Sequence, residues 1–192
     1  MSAEFSCYIV RHTSVGVAPN VCYGQLDVPL SGDFDQEKTR VRSGVFKTPE
    51  IVLSSPLYRC SKLAEYLAHD QVVRYDDRLK ELSFGSWEGK NWGDLDPKET
   101  ETWMQDFVNN HPPKGESFYD LYQRVESFWT DLLELNQDVL IVTHQGVIKS
   151  LLACLTGADL KYAIRFKVSY GGITHITVSG EMIGIDYINR IG

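Results

Sequence analysis

The segment Tyr8-Ile9-Val10-Arg11-His12 runs from three β-forming residues directly into an arginine and a histidine. The same pattern recurs where Ile51–Leu53 runs into Ser54–Arg59, and where Leu140–Val142 runs into Thr143–Gly146. If these strands are parallel, their carboxyl ends meet at one edge of the sheet, which is where open α/β sheets bind ligands. The sequence therefore predicts a crevice holding two arginines and two histidines, a set of groups that suits a phosphate ester.

Helical patterns alternate with these strands, which is typical of an α/β fold. We expect one helix to include Pro56 in its first turn. A second begins with Ser117 and Asp120 in a capping-box arrangement, and a third opens at Gly146 and ends just before Gly157. Each helix carries apolar residues at helical spacing, so each is expected to pack one face on the sheet.

The remaining segments complete a single domain over residues 1–192, a length that allows one sizeable core. Residues 173–188 predict a two-stranded hairpin that finishes the sheet. The charge-rich residues 31–45 predict a solvated helix. Residues 85–116 are rich in Gly, Trp, Asn, Asp and Pro, which indicates an irregular insertion around one short helix near 99–107. We expect this insertion to cover the crevice and to select the substrate.

The charge of the chain limits the class of partner. It carries 19 basic and 26 acidic residues, a formal charge of −7, which argues against nucleic acid and anionic membranes because both require a basic surface. No apolar run approaches the roughly 20 residues of a membrane span, and residues 1–5 lack the pattern of a signal peptide. We therefore expect a cytoplasmic protein that acts on a small-molecule phosphate ester. A homodimer is compatible with the sequence.

Signatures of other chemistries are missing from the sequence. It has no P-loop, no dinucleotide-binding glycine motif, no H-E-x-x-H and no G-x-S-x-G. Four scattered cysteines, at positions 7, 22, 60 and 154, show no paired spacing. Reduced thiols are therefore expected, and neither a zinc site nor a disulfide framework has support.

The residues at the predicted crevice could cleave a phosphate ester without a metal ion. Arg11 and Arg59 can each bind two phosphate oxygens. His12 can attack phosphorus as a neutral imidazole and form a phosphohistidine. A bound phosphate would keep His144 protonated, so that His144 could donate to the equatorial oxygens. Backbone N–H groups at the start of the helix after residues 145–146 would add a fixed positive dipole.

The leaving alkoxide also needs a proton, which a carboxylic acid can supply. Glu81 is the candidate, because residues 78–85 are mixed in character and bounded by a turn. The local sequence does not select Glu81 over Glu88 or Asp77, and a solvated surface carboxylate is an alternative interpretation.

A histidine that follows a strand is often a structural residue, and this alternative applies to His12 and to His144 taken singly. Their joint placement beside arginines favours catalysis. The other three histidines lack this context and are interpreted as a helix-end, a loop and a strand residue: His69, His111 and His175.

Four motifs in this order resemble the histidine phosphatase superfamily, also called phosphoglycerate-mutase-like: Val10–Thr13, Ser54–Arg59, Glu81–Gly85 and Thr143–Gly146. The resemblance implies a three-layer α/β/α sandwich with a mostly parallel central sheet. It also implies a phosphatase that needs no metal and no cofactor and that forms a phosphohistidine at His12.

The same resemblance implies roles for the other residues of the site. His144 would act with His12 in catalysis, and Glu81 would be the proton donor. Arg11 and Arg59 would form the phosphate pocket together with His144. The residues themselves add Gln145 and Gly146 as candidates for binding the phosphate, since a helix starts there.

Three further segments resemble the α-ribazole phosphatase branch: Cys22–Leu30, Phe84–Gly89 and Gly115–Phe118. Members of that branch remove the 5′-phosphate of α-ribazole 5′-phosphate, or of its adenosylcobalamin counterpart, during assembly of the vitamin B12 nucleotide loop. The chain departs from the common superfamily pattern at residues 13–14, where Thr-Ser replaces Gly-Glu or Gly-Gln. It also has Ala18 where many members carry an asparagine that contacts phosphate.

Four residues near these motifs are candidates for additional substrate contacts: Thr13, Asn20, Tyr23 and Trp92. Asn20 would take the place of the asparagine missing at position 18, and the two aromatic residues lie in predicted loops beside the catalytic segments. Two alternative functions stay open at this point. One is a broad-specificity phosphatase or a phosphoglycerate mutase, and the other is a module that binds a phosphorylated ligand without turnover.

Overall fold

The computed structural model describes residues 4–45 and 47–192. Residues 1–3, on which part of the signal-peptide expectation falls, lie outside the described residues. The strands are β1 (Glu4–Arg11), β2 (Ile51–Ser54), β3 (Val73–Tyr75), β4 (Val139–Thr143), β5 (Ile173–Ser179) and β6 (Met182–Arg190). The α-helices are α1 (Phe34–Gly44), α2 (Tyr58–Ala68), α3 (Pro97–Gln105), α4 (Phe118–Leu135) and α5 (Gln145–Thr156).

The six strands form one sheet in the order β3-β2-β4-β1-β5-β6. The first four strands in this order are parallel, and β5 and β6 add an antiparallel edge. The expectation of a mostly parallel central sheet is confirmed. The expected C-terminal hairpin is also present, and its second strand continues two residues beyond Ile188, to Arg190.

Helices cover both faces of the sheet. Successive side chains of a strand point to opposite faces, and the central strands are apolar on both, so each face needs a layer of helices to bury it. In β1, Cys7 and Ile9 face the layer formed by α4 and α5, whereas Tyr8 and Val10 face α1 and α2. The three-layer α/β/α arrangement is thus confirmed. Burial of one large side chain, such as Leu121 on α4, stabilises the fold by about 1.5–3 kcal/mol.

Local sequence signals set the ends of the helices. The predicted capping box of α4 is present, since Ser117 Oγ accepts from Asp120 N at 3.1 Å and an Asp120 carboxylate oxygen accepts from Ser117 N at 2.9 Å. Helix α5 ends at Thr156, just before Gly157 as expected, and Gly157 caps it with a left-handed φ of 65°.

Two predicted helix starts need correction. Helix α2 begins at Tyr58, and Pro56 lies outside its first turn because Leu57 is extended (ψ 138°) and acts as the N-cap. Helix α5 begins at Gln145 with His144 as its N-cap, one residue before the expected Gly146.

Residues 85–116 form an irregular segment with two short 3₁₀ turns, at 85–87 and 92–94, followed by α3. Helix α3 begins two residues earlier than expected, because the Asp96 side chain caps it and Pro97 occupies its first position. Within the described part of the chain, no helix combines the length and the apolar character needed to cross a bilayer.

Candidate active site

The parallel register brings the ends of β1 and β4 together, with Arg11 paired to Thr143. The ladder continues one residue further, because His12 N donates to the Thr143 carbonyl at 2.9 Å. His12 and His144 therefore leave the sheet at the same edge, and their ring centroids are 5.1 Å apart. Strand β2 lies on the other side of β4 in the same direction and leads into Arg59.

The His12 ring is buried and held in one tautomer. Its Nδ1 lies 2.7 Å from the Thr13 carbonyl oxygen, which can only accept, so Nδ1 carries the hydrogen and Nε2 keeps its lone pair in the neutral ring. Burial, together with the positive charges of Arg59 and then Arg11, lowers the pKa of His12 well below its ordinary value. At neutral pH the ring is therefore in the form that a nucleophile requires.

The two arginines are anchored by main-chain carbonyls. Arg59 Nη1 and Nη2 donate to the carbonyls of Leu26 and Gly24 at 3.0 and 2.6 Å. Arg11 Nη1 donates to the Val168 carbonyl at 2.8 Å. The Nε atoms of both arginines are buried and have no hydrogen-bond partner among the described residues. Because an unpaired buried donor is costly, an anion that accepts from both Nε groups would stabilise this arrangement.

His144 lies against the end of β2. Its Nε2 is 2.8 Å from the Ser55 hydroxyl oxygen, and its side chain is fully buried. Burial lowers the pKa of His144 well below its ordinary value, and the charge of Arg59 adds to this effect. A phosphate bound beside His144 would act in the opposite direction, because a nearby negative charge favours the protonated ring.

The Glu81 carboxylate sits at the start of α5. Its Oε1 accepts from Leu82 N and from Gly146 N, each at 3.0 Å. Gly146 has to be glycine for this contact, since a Cβ at that position would collide with Glu81 Oε1 and lie 3.1 Å from Leu121 Cδ2. The Gly146 N–H thus donates to Glu81 in this structure, and its expected contact with the substrate phosphate stays a prediction.

The two rival carboxylates are placed elsewhere. An oxygen of Glu88 accepts from Gln25 N and Phe84 N and so ties two loops together. Asp77 is exposed and pairs with Lys80. Glu81 is therefore the carboxylate, among the three considered from the sequence, that reaches the cavity next to the histidines.

A cavity of about 400 Å³ adjoins the buried pocket. Arg11, Glu81 and Gln145 contribute to its wall on the pocket side. Its other walls are apolar or aromatic and come from three loop regions: Val15, Val17, Ala18, Pro19, Val21, Cys22, Tyr23, Gly24, Phe84, Trp92 and Tyr170. The cavity is large enough for an organic group attached to a phosphate held in the pocket.

Comparison with known proteins agrees with this geometry. The family model of the histidine phosphatase superfamily (branch 1) matches residues 7–190. The chain belongs to this superfamily. It is 32% identical over 194 residues to “Putative phosphoserine phosphatase 2” of Hydrogenobacter thermophilus, with 96% of this chain and 95% of the relative covered. It is 31% identical over 147 residues to the adenosylcobalamin/alpha-ribazole phosphatase of Escherichia coli, with coverages of 73% and 72%.

The fold comparison leads to the same family. The crystal structure of the alpha-ribazole phosphatase from Shigella flexneri superimposes with a TM-score of 0.90 at 27% identity, covering 98% of each chain. This histidine phosphatase is therefore a phosphoric ester hydrolase with relatives in the α-ribazole phosphatase branch.

The four candidate substrate contacts of this histidine phosphatase divide into two pairs. Tyr23 and Trp92 line the cavity, and their contact with the substrate stays a prediction. Asn20 does not line it: its side chain is exposed and its backbone carbonyl accepts from Trp92 N at 2.9 Å. The Thr13 side chain is fully buried and is not among the residues that line the cavity, and the Thr13 carbonyl oxygen accepts from His12 Nδ1 at 2.7 Å.

Two residues that the sequence interpretation missed complete the site. The Tyr170 ring lies 3.7 Å from Arg11 Cζ, and its hydroxyl is 2.7 Å from that of Tyr23. Its sequence signal was the turn Ser169–Gly172 directly before the strand that pairs with β1. Arg124 on α4 donates to the Glu81 carbonyl at 3.0 Å and so fixes the segment that carries the carboxylate. Arg124 had no sequence signal, because it lies on the polar side of an amphipathic helix.

Proposed function

We propose that this phosphatase removes the 5′-phosphate of α-ribazole 5′-phosphate, or of adenosylcobalamin 5′-phosphate, through a phosphohistidine at His12. The observation that carries the choice of substrate is the composition of the cavity wall. Among the described residues that line the cavity, Arg11 is the one basic side chain, while Phe84 and Trp92 offer aromatic surface. This wall suits a neutral aromatic leaving group such as a ribosylated benzimidazole.

The same wall disfavours small phosphate esters that also carry a carboxylate. Phosphoserine and 3-phosphoglycerate carry a carboxylate beside the phosphate, and a site that selects them needs a second cation or a set of N–H donors for it. Arg11 faces the phosphate position, so the cavity offers no further basic side chain from the described residues. The name of the Hydrogenobacter relative nevertheless makes phosphoserine the competing substrate.

In the first chemical step, the lone pair of His12 Nε2 forms a bond to phosphorus while the bond from phosphorus to the ester oxygen breaks. Arg11, Arg59 and protonated His144 stabilise the charge that spreads over the equatorial oxygens. Glu81 transfers a proton to the leaving 5′-oxygen, so that the ribazole departs as a neutral alcohol.

In the second step, water attacks the phosphohistidine and the bond between phosphorus and Nε2 breaks. Glu81, now a carboxylate, takes the proton from the attacking water. Inorganic phosphate and neutral His12 are the products. Both steps use protein side chains to neutralise charge, and so we expect activity in the presence of excess chelator.

We further propose that residues 85–116 act as the substrate-covering part of the single domain. Trp92, in this segment, forms part of the cavity wall and packs on Trp103 at a ring distance of 6.2 Å. The cluster of rings continues through Phe84 and Trp87 to the body of the protein. Substrate choice would then depend on this segment more than on the sheet.

The test is a comparison of phosphate release from three esters in excess chelator: α-ribazole 5′-phosphate, L-phosphoserine and 3-phosphoglycerate. We expect kcat/KM for the ribazole ester to exceed the other two by about 100-fold, on the order of the selectivity that a matched pocket provides. Faster turnover of phosphoserine would contradict the proposed substrate and identify phosphoserine in its place. Conversion of 3-phosphoglycerate to 2-phosphoglycerate would indicate a mutase. Loss of activity on adding chelator would contradict the mechanism.

A further inference from the structure

The nucleophile proposed above is not reachable from the cavity in this structure. His12 is 1% exposed, and both Arg59 and His144 are fully buried. None of these three residues belongs to the lining of the cavity in the described chain. Attack on phosphorus requires an approach of about 3–3.5 Å to His12 Nε2. Part of the wall between the cavity and the pocket must therefore move before an ester can react.

Two tyrosines form that part of the wall. Tyr170 lines the cavity on one side, and on the other side its ring packs on Arg11 and lies 5.5 Å from the His12 ring. Tyr23 also lines the cavity, and its ring lies 5.2 Å from Arg59 Cζ. The two hydroxyls meet at 2.7 Å. The tyrosines thus connect the two arginines across the entrance to the pocket.

We propose that Tyr23 and Tyr170 form a gate that controls access of the phosphate group to His12, and that their hydroxyl–hydroxyl hydrogen bond holds the gate closed. The gate rests on the proposed role of His12 as the nucleophile. It adds two residues that determine how fast an ester reaches the reacting atoms, separately from the aromatic wall that recognises the leaving group.

The gate opens by rotation of side chains, because the backbone on both sides is tied down. The turn that carries Tyr170 is bonded to β1 through Arg11 N to the Gly172 carbonyl (3.0 Å), and to β6 through Ser169 N to Asn189 Oδ1 (2.6 Å). Next to Tyr23, Cys22 N donates to the Lys90 carbonyl at 2.9 Å.

The balance of contacts indicates how a substrate would open the gate. One hydrogen bond between neutral hydroxyls closes it, and such a bond is weaker than the charge-assisted bonds that phosphate forms with arginine. Phosphate entering beside Arg11 and Arg59 would therefore shift the population to the open state. An apolar or uncharged molecule forms no such bonds with the arginines and would leave the gate mainly in its closed state.

The experiment compares Tyr23→Phe, Tyr170→Phe and the double variant with the unchanged protein. Each substitution removes a hydroxyl and keeps the ring on its arginine. Diethyl pyrocarbonate acylates neutral histidine, and the rate at His12 is followed by mass spectrometry of the peptide that contains it. We expect about fivefold faster modification in either single variant, and no further increase in the double variant because both act on one hydrogen bond. With p-nitrophenyl phosphate, kcat/KM should rise by a similar factor.

Tyr119→Phe serves as the matched control, since Tyr119 is an exposed tyrosine on α4 away from the cavity. Unchanged or slower modification of His12 in the single variants would overturn the gate, and so would additive effects in the double variant. Failure of the proposed function looks different: phosphatase activity that survives His12→Ala would remove the nucleophile, while the modification rates of the tyrosine variants would still report whether His12 is gated.

Discussion

The pocket around His12 and the cavity beside it are neighbours that are built in different ways. In the pocket, His12, Arg59 and His144 are each at most 1% exposed. Strand ends position these residues, and main-chain carbonyls accept hydrogen bonds from His12 and Arg59. The cavity is enclosed by loops, and one of its aromatic walls, Trp92, is 37% exposed. From this difference we infer a division of roles for the proposed function, in which the sheet supplies the phosphate chemistry and the loops supply the choice of ester.

The largest effect that would test this division is loss of the nucleophile. We expect His12→Ala to lower kcat/KM on the order of 10⁴-fold or more, and by a similar factor for every phosphate ester, because the covalent step disappears while the cavity stays intact. Phosphate release from several esters measures this effect. His69→Ala is the matched control, since His69 is an exposed histidine at the end of α2. A loss confined to one ester would mean that pocket and cavity do not divide the work in this way.

An intermediate effect is expected at the cavity wall. Trp92→Ala should raise KM for α-ribazole 5′-phosphate about tenfold, because stacking on an aromatic ring is removed, and should leave KM for glycerol 1-phosphate nearly unchanged. Trp92→Phe keeps a ring and should recover most of the affinity. Equal losses for both esters in Trp92→Ala would show that the ring supports the pocket itself and that the pocket and the cavity do not act separately.

A third effect concerns stability and pH, and it is measured on a different scale from activity. The pKa values of His12 and His144 are lowered in the fold by burial, so below about pH 6.5 the unfolded chain binds protons that the folded chain does not. The free energy of unfolding should therefore fall as the pH falls below 6.5, by up to about 1.4 kcal/mol per pH unit for each histidine, and these groups should add no pH dependence above it.

Urea unfolding between pH 5 and pH 7.5 measures this dependence. His12→Gln should make the fall shallower by one histidine's share, and His69→Gln should leave it as it is. A wild-type stability that does not change between pH 5 and pH 6.5 would contradict the assignment of two neutral buried histidines to the pocket. None of the described residues that line the cavity is a histidine, so the cavity wall adds nothing to this histidine effect.

Much of the pocket could be predicted from the sequence because its residues follow directly from strand ends. Tyr8–Val10 and Leu140–Val142 are continuous apolar runs, and their parallel pairing carries Arg11, His12 and His144 to one edge. The capping box that starts α4 at Ser117 and the glycine that follows α5 at position 157 could also be predicted from the sequence. These features depend on period, strand direction and local hydrogen bonding, which a short stretch of sequence contains.

Contacts between distant loops were decided by the tertiary structure. The local sequence did not distinguish Glu81 from Glu88 and Asp77. Only the fold brings Glu81 to the cavity, because its partner Gly146 is 65 residues away in the chain. Asn20, a candidate substrate contact from the sequence, is exposed and is not among the residues that line the cavity.

The periods of strand and helix in the sequence thus predicted the α/β order and the four cationic or imidazole side chains of the pocket, because they dictate where those residues emerge. The three layers were implied by the resemblance of the four motifs to the superfamily. Tertiary packing alone decided that Tyr170 meets Tyr23 across 147 residues, and that Gly146 serves Glu81. Such contacts depend on how irregular loops settle against one another, and no period in the sequence encodes that arrangement.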